Sequence, residues 1–276
     1  MNFADLHIHS TYSDGMLTPE EIITNVVNKS LPGFSLTDHD TFEGIKSIYE
    51  YIKNKDINII FIAGCEFSSY HPEIGEVHIL GYFRYNDIKN IENFTEEFKS
   101  QRIGRAKKII DCLKANGYTI DEEKIFANSK VVGRLNIARE LVERGFFKNI
   151  TEAFDKMLRS GSPCYVKKKE VLPETVIEKI TKANGKAVLA HPTFLSSKKY
   201  WEIIHKWKNL GLFGIECFHP KIDFKLANEI IDNFKDDFFL TGGSDFHGDD
   251  EKLEIGQYGI SKENLLEFYE YFSDKK

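Results

Sequence analysis

The chain has 276 residues and a net charge of -6, with 41% hydrophobic and 29% charged residues. This composition is typical of a globular protein, and one α/β barrel can occupy a chain of this length. No apolar run approaches the roughly 18 residues that a membrane span needs, which excludes a transmembrane protein. The acidic balance gives no general attraction for nucleic acid, so duplex DNA is not an expected partner.

The first residues, MNFADLHIHS, contain neither a basic leader nor an apolar signal core. We therefore expect a cytoplasmic protein. The four cysteines, Cys65, Cys112, Cys164 and Cys217, are far apart, and no pair has the CxxC spacing of a zinc or redox site. We expect all four to be reduced residues of the core. The sequence says nothing about the oligomeric state.

Short apolar runs alternate with amphipathic stretches in the first part of the chain. This rhythm predicts a parallel sheet with helical crossovers. The predicted strands are residues 3–8, 33–37, 58–63 and 77–83, and the predicted helices are residues 19–29 and 42–53.

The rhythm stops between about residues 86 and 168, where EEFKSQRIGRAKKIIDCLKANGY and GRLNIARELVERGF have a helical pattern. It returns in the strand patterns GKAVLAH, LFGIECFH and DDFFLTGGSDFH. We therefore predict an α/β barrel in two parts, residues 1–85 and 169–276, with residues 86–168 inserted as a helical subdomain.

Histidines and carboxylates recur near the predicted strand ends. In DLHIH, Asp5, His7 and His9 follow the two-residue period of a strand and would share one face, where Asp5 could support an imidazole. The other members of the pattern are Asp14, His39, Glu66, His78, His191, Asp245 and His247. Parallel barrels place their reactive groups at this rim. Nitrogen and oxygen ligands without a thiolate favour Mn, Fe or Zn.

HIHSTYSDG, LTDHDT, LAHP, GIE and GSDFHG resemble, in content and in order, the motifs of the polymerase and histidinol phosphatase (PHP) family. The resemblance is greatest to its bacterial metal-dependent phosphoesterases. It implies a distorted (β/α)7 barrel with two or three divalent ions. By motif, His7 and His9 would hold the first ion with bridging Glu66 and Asp245. Asp14, His39 and His247 would hold the second ion, and Glu66, His78 and His191 the third.

The predicted insertion carries candidate phosphate-binding residues. Arg102 and Arg105 lie three positions apart on one helical face, and Arg134 and Asn136 begin another predicted helix. Arginine binds phosphate oxygens in a bidentate manner. The family usually has Arg-Pro-His where this chain has Arg134, Leu135 and Asn136, so any contact that the family's His makes is in doubt. His191 and Asp40 are candidates for protonating the leaving group.

These residues predict an enzyme in which a metal-activated hydroxide hydrolyses small phosphomonoesters, such as nucleoside 3′,5′-bisphosphates. An exonuclease that trims the 5′ end of short oligonucleotides would need the same metal chemistry. A histidinol-phosphate phosphatase and a non-catalytic metal-binding domain are further alternatives. The complete ligand pattern argues against the non-catalytic domain, and the helical insertion argues against the histidinol phosphatase.

Overall fold

The computed structural model describes residues 3–128, 131–167 and 170–273. Six strands of these residues form one sheet whose spatial order follows the chain. They are β1 (Gly33–Leu36), β2 (Ile60–His71), β3 (Gly75–Phe83), β4 (Lys186–Leu189), β5 (Leu212–Phe218) and β6 (Phe239–Gly242). The α/β class is therefore confirmed.

The sheet is mixed, so the prediction of a purely parallel sheet is wrong. β3 runs antiparallel to both of its neighbours, β2 and β4, whereas the other adjacent strands are parallel. Only residues 72–74 separate β2 from β3. A parallel connection needs a dozen or more residues, so this link must be a hairpin. The turn ends at Gly75, whose φ of 102° suits a residue without a Cβ.

The predicted first strand forms isolated bridges instead of a regular strand. Ala4, Asp5 and Ile8 bridge to Ile260, Phe34 and Phe246, respectively. The segment of residues 4–9 lies between the two edge strands, because the Asp5 carbonyl accepts from Ser35 N on β1 and Leu6 N donates to Gly242 O on β6.

The described residues form ten α-helices, which pack around the sheet or build the helical stretch in the middle of the chain. They are α1 (Pro19–Asn28), α2 (Glu43–Lys55), α3 (Glu92–Ala115), α4 (Glu122–Asn128), α5 (Arg134–Glu143), α6 (Ile150–Ala153), α7 (Pro173–Lys182), α8 (Trp201–Leu210), α9 (Phe224–Phe234) and α10 (Lys262–Glu270). Local sequence sets several of their starts; Thr18 and Glu21, for example, form a reciprocal capping box before α1. No described helix has both the length and the apolar character needed to cross a bilayer.

The helical stretch in the middle of the chain has a hydrophobic core of its own. Ile110 of α3 and Ile137 and Leu141 of α5 are buried in it. The first half of α3 instead contributes Phe94 and Phe98 to the main core. α3 thus connects the two cores. The boundaries at 85/86 and 168/169 stay predictions, and residues 168 and 169 lie outside the described ranges.

The expectation of four reduced cysteines is wrong for one pair. Cys112 of α3 and Cys164 form a disulfide across a sequence separation of 52 residues, whereas Cys65 and Cys217 are free and buried. Sequence spacing could not reveal this pair, because the folding of α3 to α6 brings the two residues together.

The disulfide should stabilise the hydrophobic core of the helical stretch. Closing a loop of this length restricts the unfolded chain and contributes on the order of 2 to 4 kcal/mol. We expect Cys164→Ser to lower the free energy of unfolding by that amount in urea titrations. A reductant should destabilise the wild type equally and leave the variant unchanged. Equal stability of the wild type with and without reductant would contradict the prediction.

Candidate metal centre

His7 and His9 project from the segment of residues 4–9 towards Glu66 and Asp245. His7 Nε2 lies 3.3 Å from Glu66 Oε2 and 3.4 Å from Asp245 Oδ1. His9 Nε2 lies 3.2 Å from each of these two oxygens. Both imidazoles are fully buried. Two nitrogens and two oxygens from distant parts of the chain therefore converge on one point.

A second group forms around Asp14. His247 Nε2 lies 3.2 Å from Asp14 Oδ1, and His39 Nε2 lies 3.8 Å from Asp14 Oδ2. His9 also borders this group, with Nδ1 3.8 Å from Asp14 Oδ1. The two rings of His9 and His247 stack with centroids 4.1 Å apart. His9 is thus common to both groups.

The carboxylate of Glu66 links the remaining histidines. Its Oε2 lies 3.0 Å from His39 Nδ1, and its Oε1 lies 2.7 Å from His78 Nδ1 and 2.9 Å from His191 Nε2. β3 brings His78 to this rim because it runs antiparallel to β2 and pairs His78 with Ser68, close to Glu66. All nine predicted ligands are therefore brought together, although β2 continues beyond Glu66 instead of ending there.

Many nitrogen and oxygen atoms of the centre that could bind a metal are buried without a hydrogen-bond partner among the described residues. They are His7 Nε2, both ring nitrogens of His9, Asp14 Oδ1, His39 Nδ1, Glu66 Oε2 and His78 Nε2. Leaving such an atom unsatisfied costs about 1 to 3 kcal/mol. Divalent cations would satisfy these atoms, and the donor set, which lacks thiolates, suits Mn, Fe or Zn. The residues therefore fit a metal centre.

The electrostatics favour cations as well. Burial alone would raise the pKa of Asp14, but neighbouring imidazoles outweigh it and hold that pKa well below its usual range. Burial opposes protonation of His247, yet Asp14 and Asp245 raise its pKa to about 9. Burial would lower the pKa of His78, but the neighbouring carboxylate of Glu66 raises it to about 9. Protonated imidazoles such as those of His247 and His78 thus keep the carboxylates ionised, and divalent cations would replace the protons on these rings.

Three residues at the centre have a backbone conformation that is unfavourable for side chains other than glycine. The φ angles of Asp40, His191 and Asp245 are 54°, 29° and 55°. Such residues persist only where the surrounding structure enforces them, and they concentrate at functional sites. The side chains of His191 and Asp245 leave this backbone towards the cluster, whereas that of Asp40 faces Ser68 and Arg102.

Two residues near the end of β5 support the cluster. Glu216 accepts from His191 N through Oε2 at 2.7 Å, and its Oε1 lies 3.0 Å from His7 Nδ1. His219 is buried with its Nε2 3.5 Å from Asp245 Oδ2. His219 is not among the candidate residues of the sequence analysis, and its position directly after β5 is the sequence signal for this proximity.

We expect from the sequence that Asp5 supports an imidazole, but in the structure it binds backbone N–H groups instead. Its carboxylate accepts from the backbone N–H groups of His7, Ser244 and Gly256, at 3.2, 2.9 and 2.8 Å. Asp5 therefore joins the first segment to the loop that carries Asp245, and no described contact joins it to an imidazole nitrogen. The reason is that residues 4–9 do not follow a regular strand.

A cavity of about 880 Å³ lies beside the cluster, between α3, the start of α5, the end of β2 and the start of β3. Among the predicted substrate residues, Arg102, Arg105 and Arg134 line it, and Asp40 borders it. Its other cationic lining residues are Lys108, Arg159 and Lys167. Three acidic residues, Asp40, Glu76 and Glu170, also line it, so six cationic and three acidic side chains give a net positive wall around a space of the size of a small ligand.

Each arginine is held in place by the protein. Arg102 donates to Asp40 through Nε and to Ser68 Oγ at 2.7 Å through Nη2. Arg105 Nε donates to Val166 O at 2.7 Å. Burial, and then the nearby Arg134, lower the pKa of Arg105 to about 10. The arginines are thereby oriented before any ligand binds.

Arg134, at the start of α5, connects the helical stretch to the metal centre. Its guanidinium lies over the rings of Phe154 and Tyr165, and its Nη2 is 3.7 Å from Glu76 Oε2. The other oxygen of Glu76 lies 3.7 Å from His78 Nε2. Arg134 thus sits in the cavity wall, one side chain away from the cluster.

The side chain of Asn136 forms hydrogen bonds with nearby backbone groups. Its Oδ1 accepts from Gly133 N at 2.7 Å, which caps α5, and its Nδ2 donates to Ser13 O at 3.3 Å. It is not among the residues that line the described cavity. Asn136 therefore joins α5 to the loop that carries Asp14.

The fold and the site define a metal-dependent phosphoesterase, and comparisons with known proteins agree. The PHP domain model matches residues 5–210. A "5'-3' exoribonuclease" of Haemophilus influenzae is 31% identical over 280 residues, covering 97% of this chain and 98% of that protein. A "3',5'-nucleoside bisphosphate phosphatase" of Chromobacterium violaceum is 31% identical over 191 residues, covering 68% of this chain and 66% of that protein.

Among solved structures, a metal-dependent phosphoesterase of Bifidobacterium adolescentis shares the fold with a TM-score of 0.87. It is 23% identical, and the match covers 98% of this chain and 96% of that one. The chain belongs to the PHP domain family. It is a phosphoric ester hydrolase.

Proposed function

We propose that the protein hydrolyses small phosphomonoesters, with nucleotides such as 3′,5′-bisphosphates as substrates. The observation that carries the proposal is the cavity of about 880 Å³ whose cationic wall adjoins the ligand cluster. Sites for small ligands are about 300 to 1,000 Å³ in size, so this cavity suits one nucleotide. Its arginines would bind a phosphate that stays on the product while another phosphate lies at the cluster.

The proposed cofactor is a set of two or three divalent ions, Mn, Fe or Zn. Their ligands would be His7, His9, Asp14, His39, Glu66, His78, His191, Asp245 and His247. When bound, such ions activate water and stabilise the charge that develops on phosphoryl oxygens. We also propose that residues 4–9 take the place of a seventh strand in a distorted (β/α)7 barrel, since they lie between β1 and β6.

The remaining residues would bind and orient the substrate. Arg102, Arg105 and Arg134 hold its phosphate in the cavity. We assign Asp40 to the orientation of Arg102, because its oxygens accept from Arg102 Nε and Ser68 N. Asn136 acts indirectly, by holding the loop of Asp14. His191, at the solvent-facing edge of the cluster, stays the candidate for proton transfer to the leaving group.

A 5′-3′ exoribonuclease acting on short RNA is the second candidate. It is favoured by the Haemophilus influenzae relative, which aligns over almost the whole of both chains. The same cavity would then hold the 5′-terminal nucleotide of the RNA. The two candidates differ in whether the phosphate at the cluster carries one ester bond or two.

The test is a comparison of adenosine 3′,5′-bisphosphate with a 5′-phosphorylated RNA tetramer, using Mn-loaded protein. We expect phosphate release from the bisphosphate with a higher kcat/KM than mononucleotide release from the tetramer, resolved by chromatography. Asp14→Asn serves as the inactive control. A higher kcat/KM on the tetramer would favour the exoribonuclease, and no turnover of either compound would contradict both candidates.

A further inference from the structure

Lys221 lies at the metal centre but has no role in the chemistry described above. Its Nζ is 2.7 Å from Asp245 Oδ2. The other oxygen of the same carboxylate, Oδ1, faces His7 Nε2 and His9 Nε2. The ammonium group is therefore separated from the ligand cluster by the width of one carboxylate.

The backbone around Lys221 is fixed, whereas its side chain is accessible. Lys221 N donates to His219 Nδ1 at 2.9 Å, and Ile222 N donates to His219 O at 3.0 Å. Asp223 then caps α9 through a bond to Leu226 N. The Lys221 side chain is 58% exposed, in contrast to 10% for Asp245. A rigid turn thus presents a cation at the open edge of the cluster.

Lys221 and the cavity approach the cluster from different strands. The cavity is bordered by Asp40, after β1, by Ser68 of β2 and by Glu76 of β3. Lys221 follows β5, and the strand order places β4 between β3 and β5. A nucleotide in the cavity would reach the cluster from the β1–β3 side, so the outer oxygens of its phosphate would face the β5 side.

We propose that Lys221 contacts the terminal oxygens of the phosphate at the cluster and makes the enzyme prefer phosphomonoesters to phosphodiesters. A phosphomonoester has a charged oxygen on its outer side, which an ammonium group can bind. A diester has an uncharged ester link there, to which the ammonium gains little. The inference rests on the proposed function, because it requires a nucleotide in the cavity.

The experiment measures the ratio of kcat/KM for adenosine 3′,5′-bisphosphate to that for the 5′-phosphorylated dinucleotide pApA. The bond hydrolysed belongs to a monoester in the first compound and to a diester in the second. Losing a hydrogen bond between charged groups should lower kcat/KM for the monoester by roughly 10- to 100-fold in Lys221→Met. The diester should lose less than about threefold, so the ratio falls. Lys221→Arg, which keeps the charge, should retain most of the ratio.

Two controls separate this role from structural support of Asp245. Bound Mn, measured by elemental analysis, should be the same in Lys221→Met and wild type. Lys208→Met, which removes a surface lysine paired with Asp237, should leave both rates unchanged. Equal losses on both substrates, or a loss of bound Mn, would overturn the role of Lys221 while leaving the proposed function standing. A wild type that hydrolyses neither substrate would overturn the proposed function and this role with it.

Discussion

Replacing Glu66 with glutamine should abolish turnover and reduce the bound metal. Glu66 is buried, and its two oxygens lie within 3.3 Å of ring nitrogens of five histidines. Glutamine has the same size but no charge, and its amide NH2 group cannot bind a metal ion as the second carboxylate oxygen does. Even residues that only support a metal ligand contribute about 10- to 100-fold, so a carboxylate shared within the cluster should contribute more than about 100-fold.

The measurement pairs phosphate release with elemental analysis after reconstitution with Mn. Glu254→Gln is a matched control, since Glu254 is an exposed glutamate paired with Lys29 at 2.5 Å. It should bind metal and turn over like the wild type. Circular dichroism of Glu66→Gln should show the wild-type helix content. A folded Glu66→Gln protein with full metal content and a rate within threefold of the wild type would show that Glu66 is not a ligand that matters for catalysis.

The convergence of the nine candidate ligands could be predicted because it depends on short-range rules. His7 and His9 are two residues apart, and the other ligands lie near strand ends or in the loops that follow. In a sheet whose strands start and stop together, these positions meet at one rim. The prediction needed the strands that carry ligands near their carboxyl ends to run in one direction, as β1, β2, β4, β5 and β6 do.

The direction of β3 is the clearest failure of that reasoning, and it had a visible signal. HPEIG contains the turn residues Pro and Gly, and because β2 continues to His71, only residues 72–74 remain for the link, too few for a helical crossover. His78 nevertheless reaches the rim, because an antiparallel strand enters the sheet where its neighbour leaves it. The place of His78 at the rim was therefore predicted although the strand direction was wrong.

Contacts between distant segments could not be predicted from the sequence. The cysteines 112 and 164 are close only after α3 to α6 have packed. Lys221 has no distinguishing spacing, and only the turn after β5 brings its ammonium to Asp245. The anchoring of Arg102 by Asp40 likewise joins α3 to the end of β1. These contacts depend on tertiary packing, which local periodicity does not encode.

The largest effect expected outside the metal cluster is that of Arg134→Ala. Arg134 lines the cavity, its guanidinium lies over Phe154 and Tyr165, and Glu76 separates it from His78. A guanidinium can bind two phosphate oxygens in one plane, which an ammonium group cannot do. Losing this contact at a shielded site should cost on the order of 2 to 4 kcal/mol, or roughly 30- to 1000-fold in kcat/KM.

Arg134→Lys should fall between the wild type and Arg134→Ala, because it keeps the charge and loses the planar geometry. Bound metal should be unchanged in both variants, since Arg134 is not a candidate ligand. Arg144→Ala is a control in the same insertion: Arg144 pairs with Glu140, which keeps Lys124 as a partner at 3.0 Å. Its kcat/KM should match the wild type in steady-state assays on the best substrate. If Arg134→Ala stays within threefold of the wild type, Arg134 only packs against the aromatic rings, and the phosphate must be bound by Arg102 and Arg105.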